Sequence, residues 1–154
     1  MNKHTAPSQT SKARLRLWLR LLRAQRAVEG RVRERLRADH DTTLPRFDVM
    51  AALHRERAGL RMSGLSDVLR VSNGNVTGIV DRLVGEGLVE RVAVEGDRRA
   101  MSVRLTPGGV AAFEDMAAAH ERWIDELLGG VAPEEADAIS DRLALVADNI
   151  ERSE

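Results

Sequence analysis

The sequence predicts a mainly α fold with a small two-stranded β wing. Three observations carry that expectation. Residues 61–87 hold two short stretches of helical apolar spacing, joined by three or four residues. Residues 88–105 then change to an alternating period, the mark of half-buried strands. Longer stretches on both sides keep apolar residues at 3- and 4-residue steps, which gives each one buried helical face.

Taken in order, residues 1–11 are polar and contain Pro7; a disordered tail is expected. Residues 12–38 form a long helix with Leu15, Trp18, Leu21, Leu22, Val28, Val32 and Leu36 as apolar positions. Pro45 opens a second helix, with Phe47, Met50 and Leu53 inward and an end near Ala58-Gly59. Leu65, Val68 and Leu69 give a third, short helix its buried face. Val71 and Ser72 make the connection, and the Ser72 hydroxyl can cap the next helix by accepting from its free N–H groups. Val76, Ile79, Val80 and Leu83 line the inner face of that fourth helix, and Gly87 is its expected C′ glycine. Two short helices and a tight turn make a helix-turn-helix.

Residues 88–95 and 100–105 are the two strands, with Gly96-Asp97-Arg98-Arg99 as the hairpin tip. Thr106-Pro107 starts a long helix over residues 107–128, Thr as cap and Pro at the first helical position. Gly129-Gly130 stops it. Ala132-Pro133-Glu134-Glu135 starts the last helix, with acids where the helix dipole favours them and an Ile139, Leu143, Val146, Ile150 stripe. The expected organisation is therefore a winged helix-turn-helix over residues 45–106, flanked by a helical dimerisation region of residues 12–44 and 107–154. The flanking helices are too long and too apolar for one small monomer, and a two-fold dimer would bury them.

The outer face of the fourth helix suggests what the module does. It carries Asn73, Asn75, Thr77 and Arg82, with Gly74 and Gly78 between them. Asn can make a bidentate pair with adenine in the major groove, and Arg can take guanine or phosphate. Each glycine weakens the helix by roughly 1 kcal/mol relative to Ala, a cost that makes sense where a backbone must approach DNA closely. Two arginines at an exposed hairpin tip suit a narrow minor groove. The candidate DNA-binding set is Ser72, Asn73, Asn75, Thr77, Arg82, Asp97, Arg98 and Arg99.

Net charge is zero, but its distribution is uneven. Residues 1–40 hold 11 Lys/Arg against 3 Asp/Glu, and residues 110–154 hold 3 against 12. The two ends should attract. Arg16, Arg20 and Arg23 share one face of the first helix; they are a solvated or acid-paired face, or an anion site.

The run VSNGNVTGIVDRLVGEGLVER, followed by EGDRRAMSVRLTPGG, resembles the MarR family of bacterial transcriptional regulators, over nearly the whole chain. The resemblance implies a homodimer on a pseudo-palindromic double-stranded operator. It also implies that Asp97 holds Arg99, which enters the minor groove. Many relatives carry a larger polar residue where this chain has Gly78, a departure that leaves one base contact without its side chain. MarR-like proteins commonly bind aromatic acids between the dimer helices and the DNA module. Here that crevice would be lined by Trp18, Leu22, Phe47, Met50, Phe113 and Met116. The same residues read equally well as core. The run TTLPRFDVMAAL, with SNGNVTGIVDRL, is also similar to MarR-like repressors that respond to aromatic acyl-CoA thioesters such as p-coumaroyl-CoA. With Arg16, Arg20 and Arg23 for the phosphates, an aromatic acyl-CoA is the expected effector, and release of a repressor the expected response. The rivals are an architectural DNA-binding protein without an effector and a winged-helix protein-interaction module.

Other classes are disfavoured. The absence of cysteine excludes disulfides and thiol redox switching. His4, His40, His54 and His120 form no close metal-binding pair, so neither a metal nor a cofactor is expected. No nucleophile-elbow or phosphate-loop motif occurs, which argues against an enzyme. No signal peptide or membrane-length apolar run is visible, so a cytoplasmic protein without membrane contact is expected.

Overall fold

The structure, a computed structural model, describes residues 8–70 and 73–153. The chain forms two compact units, Met1–His120 and Glu121–Glu154.

In the first unit α1 (Gln9–His40) begins earlier than the composition suggests, because Ser8 caps it and its Oγ accepts from the Ser11 N–H at 3.1 Å. Residues 9–11 are thus helical rather than part of a disordered tail; the rest of that expectation, residues 1–7, lies outside the described residues. Asp41 ends α1 in the left-handed region, and Thr43 caps α2 (Leu44–Arg55). That helix stops before Ala58-Gly59. Gly59 instead turns the chain at φ +102, into β1 (Leu60–Arg61), where an added Cβ would sit 2.9 Å from the Val103 carbonyl oxygen.

β1 is a third strand that the alternation does not reveal. Two residues are too few to show a period, yet Leu60 pairs with Val103 and Arg61 with Ser102. Next come α3 (Met62–Leu69), α4 (Asn73–Gly85), β2 (Val89–Val94) and β3 (Asp97–Leu105). The antiparallel sheet has the order β1-β3-β2. Leu65 is buried, but Val68, expected inward, is exposed; Ser66 takes an inner position of this short helix instead. The α3–α4 connection, Val71 and Ser72, lies outside the described residues, so the expected Ser72 cap does too.

α4 turns Val76, Val80 and Leu83 into the core with Leu36, Met50, Leu53, Leu65, Val89 and Val103. Its end is a Schellman motif: the Leu88 N–H reaches the Leu83 carbonyl and the Gly87 N–H reaches that of Val84, both at 3.0 Å. Gly87 has φ +73, as a C′ glycine requires. α5 (Pro107–Leu127) is capped by Thr106, whose hydroxyl accepts from the Gly109 N–H and donates to the Gly87 carbonyl at 2.7 Å. Gly109 passes so close to Leu88 that no side chain fits there.

The second unit holds residues 121–127 of α5, the Gly129-Gly130 break and α6 (Pro133–Glu151). The Glu135 carboxylate accepts from the Ala132 N–H at 3.0 Å and so helps start α6. No residue of α6 is buried; Ile139, Leu143, Val146 and Ile150 form an exposed apolar stripe. Among the described residues, no helix is long and apolar enough to cross a membrane.

Candidate nucleic-acid interface and an adjoining cavity

With Val76, Val80 and Leu83 inward, α4 leaves Gly74, Asn75, Thr77, Gly78, Asp81 and Arg82 exposed. A Cβ added at Gly74 or Gly78 would meet nothing within 4 Å. Among the described residues, packing gives no reason for either glycine. Asn73 is the first residue of the helix, and Ser72 lies outside the described residues.

The wing departs from the expected hairpin. The turn is Glu95-Gly96, with Gly96 at φ +82, and Asp97 already pairs with Val94. The register then slips, so that Met101 pairs with Ala93 and residues 98–100 fall in the irregularity between. Arg98 and Arg99 are thus displayed by a bulge inside β3 rather than by a four-residue tip. A bulge re-aims side chains in this way. The Asp97 carboxylate accepts from the backbone N–H of Arg99 at 3.1 Å. In this structure it shapes the backbone under Arg99.

Two ion pairs tie α4 to its neighbours. Asp81 pairs with Arg91 of β2, and Glu86, just past α4, pairs with Arg46 of α2. The spacing of the helices does not reveal either pair, because each joins separate elements. Arg104 pairs across the sheet with Glu90 at 2.7 Å.

The expected effector set is placed differently. Phe47, Met50, Phe113 and Met116 are buried. Phe47 and Phe113 stack at a 5.4 Å centroid distance, with His120 at 5.0 Å from Phe47 and His54 at 4.8 Å from Phe113. Beside this cluster Glu114 accepts from His54 at 3.1 Å and from Arg57 at 3.4 Å, and these partners, His54 first, hold its carboxyl below the usual range. Trp18 is exposed and Leu22 half-buried, and Arg16, Arg20 and Arg23 are exposed on α1. None of these nine residues lines a cavity that lies beside them in the first unit.

That cavity, of ≈ 540 Å³, lies between α1, α2, α3 and α4. Leu44, Pro45, Val49, Leu69 and Ile79 make its apolar wall; Arg33, Arg37, Thr42, Thr43, Asp48 and Asn75 are its polar members. Arg33 and Arg37 stand four residues apart on α1, a signal present in the sequence but lost among many arginines. Desolvation at the wall, and then Glu29, raise the Asp48 carboxyl above its ordinary range, while His120 and Arg33 pull it down. Asn75 belongs to both sites, exposed on α4 and lining the cavity. Among the described residues, no three His, Asp or Glu side chains gather as metal ligands.

The sequence model of the MarR family matches residues 40–100. A MarR family transcriptional regulator from Silicibacter pomeroyi is 34% identical, its crystal structure covering 93% of this chain and 99% of its own with a TM-score of 0.78. The chain belongs to the MarR family. It is thus a transcriptional regulator with the winged-helix fold. Two further solved structures are similar. A mutant MarR from Escherichia coli, complexed with operator DNA, is 27% identical over 90% of this chain and 99% of its own, with a TM-score of 0.74. BpsR of Bordetella bronchiseptica, whose DNA binding is regulated by 6-hydroxynicotinic acid, is 26% identical over 86% of this chain and 98% of its own, with a TM-score of 0.72.

Proposed function

We propose that this MarR-family regulator is a homodimer that reads a pseudo-palindromic operator and represses until a small aromatic ligand releases it. The observation that carries the DNA-reading half is the exposed face of α4. A Cβ added at either of its two glycines would meet nothing within 4 Å among the described residues, polar side chains stand in solvent between them, and the bulged arginines of β3 lie in the same module. Asn73, Asn75, Thr77 and Arg82 would read or position in the major groove and Arg99, backed by Asp97 and beside Arg98, would enter the minor groove; Ser72 completes the set. The likeness to MarR bound to operator DNA supports this assignment. Exposed Leu15, Leu17, Trp18 and Leu19 on α1, and the α6 stripe, support the dimer, since a monomer leaves them in water.

The ligand would enter the cavity under α4, whose ≈ 540 Å³ suits a small aromatic acyl group: ring against Pro45, Val49 and Ile79, with the carboxylate of a free acid, or the carbonyl of a thioester, accepting from Arg33 or Arg37. An aromatic acyl-CoA thioester is the favoured effector. Its nucleotide would run along α1 toward Arg23, Arg20 and Arg16; ten residues of helix place Arg23 about 15 Å from Arg33. The regulation of BpsR by a small aromatic acid fits a ring-binding site. Only a ligand that binds the DNA-incompetent state better can release the operator.

Gel shift on the chain's upstream region, repeated with free aromatic acids and with their CoA thioesters, tests the proposal. Retardation that the thioester reverses is expected. Retardation that neither ligand affects would remove the effector, and no retardation would remove the operator. Full thioester affinity in the triple variant Arg16→Ala, Arg20→Ala, Arg23→Ala would remove the phosphate seat.

A further inference from the structure

The residue just past α4, the proposed recognition helix, stands where the helix itself disfavours it. α4 ends at Gly85 with Gly87 as its C′ residue, so Glu86 places a negative charge at the negative end of the dipole. A lysine or a glutamine there would serve the helix better. What holds Glu86 is Arg46. Both terminal guanidinium nitrogens face both carboxylate oxygens, with Nη1 to Oε1 at 2.9 Å. The Arg46 side chain is only 18% exposed. This fork, first of all by its hydrogen bond, holds the Glu86 carboxyl below the usual glutamate range against the opposing effect of desolvation.

The place of Arg46 in the chain gives the pair its meaning. It directly follows Thr42, Thr43, Leu44 and Pro45, four consecutive residues of the cavity wall. Its own N–H donates to the Thr43 hydroxyl at 3.4 Å, so backbone and wall are one turn. At its middle, α4 is tied to the wing through Asp81 and Arg91.

We infer that the Arg46–Glu86 pair is the positioning contact that sets the tilt of the recognition helix on α2 and carries a displacement of the cavity wall to it. A bidentate pair suits this task because it constrains direction as well as distance. The inference rests on α4 being the DNA-reading element.

The test uses the full chain, duplex binding and amide hydrogen exchange over residues 73–85. The variants are Glu86→Gln, Arg46→Lys and the exchanged pair Arg46→Glu with Glu86→Arg. Glu86→Gln should speed exchange in residues 73–85. It should weaken the upstream duplex about tenfold and a scrambled duplex less than about twofold, within the usual range of coupling between sites. The exchanged pair should restore most of both, and Arg46→Lys, a point charge without the fork, should fall between. Unchanged exchange and affinity would overturn the inference, as would equal loss on both duplexes with a lowered melting midpoint. If the wild type binds neither duplex, DNA reading is what fails, and exchange in residues 73–85 decides the pair alone. Faster exchange in Glu86→Gln then supports it and unchanged exchange overturns it. Should the exchanged pair not fold, Arg46→Lys carries the same decision.

Discussion

The outer face of α4 and the aromatic cluster of α2 and α5 come from the same 3- and 4-residue spacing, yet one faces solvent and the other is closed. On α4, the described residues left outside are polar or glycine, and a Cβ added at Gly74 or Gly78 would meet no described residue within 4 Å. In the cluster, Phe47, Phe113, His54 and His120 contact one another, and Met50 is fully buried. The difference teaches that helical periodicity separates inward from outward residues but does not separate a filled core from the wall of a cavity. Which one forms depends on side chains from other elements meeting in space, and the cavity opens where the short Thr42 and Thr43 before α2, and Pro45 and Val49 within it, share a wall with Asn75 and Ile79 of α4.

The contrast can be broken most strongly at the cluster. Phe113→Ala should lower unfolding stability by about 3–5 kcal/mol, as for a buried aromatic. Denaturant titration measures it, and a loss below about 1 kcal/mol would mean that Phe113 lines open space. Arg99→Ala should weaken duplex binding roughly tenfold and lower the slope of log affinity against log salt by about 1, with stability unchanged because Arg99 is exposed. Asp97→Ala should give a smaller loss, since its contact is to the Arg99 backbone.

Much of the fold is legible in the sequence, for particular reasons. Val76, Val80 and Leu83 mark α4 because three buried positions repeat the helical step. Thr106-Pro107 marks the start of α5 because cap and ring chemistry act locally. β1 is hidden by its length, and the bulge at residues 98–100 is hidden because it depends on the register with β2. Arg33, Arg37 and Asp48 could not be read as cavity residues, since only the approach of α1, α2 and α4 makes them neighbours. Val68 misleads because a buried face of eight residues has room for few inward positions, and Ser66 takes one.

Gly78→Ala sharpens the comparison at smaller cost. No atom lies within 4 Å of the added Cβ, so the variant should be more stable by about 0.5–1 kcal/mol. Its duplex binding should weaken if the backbone lies close to DNA. A thermal melt and a binding curve on one sample would show the two moving in opposite directions. Smallest of all is a pH effect. The Glu86 carboxyl is lowered in the folded state, so its contribution to stability is present above the usual glutamate pKa and is lost as pH falls through the lowered value. Glu86→Gln should therefore flatten the acid limb of stability against pH and leave the neutral-to-alkaline limb alone.

The claim at the centre is that the exposed face of α4 reads base sequence. Titration of wild type and Asn75→Ala against the upstream duplex and a scrambled duplex, at one salt concentration and without ligand, tests it most directly. The expected result is a loss of about 1–3 kcal/mol on the upstream duplex alone. Equal weakening on both duplexes, or none on either, would contradict it.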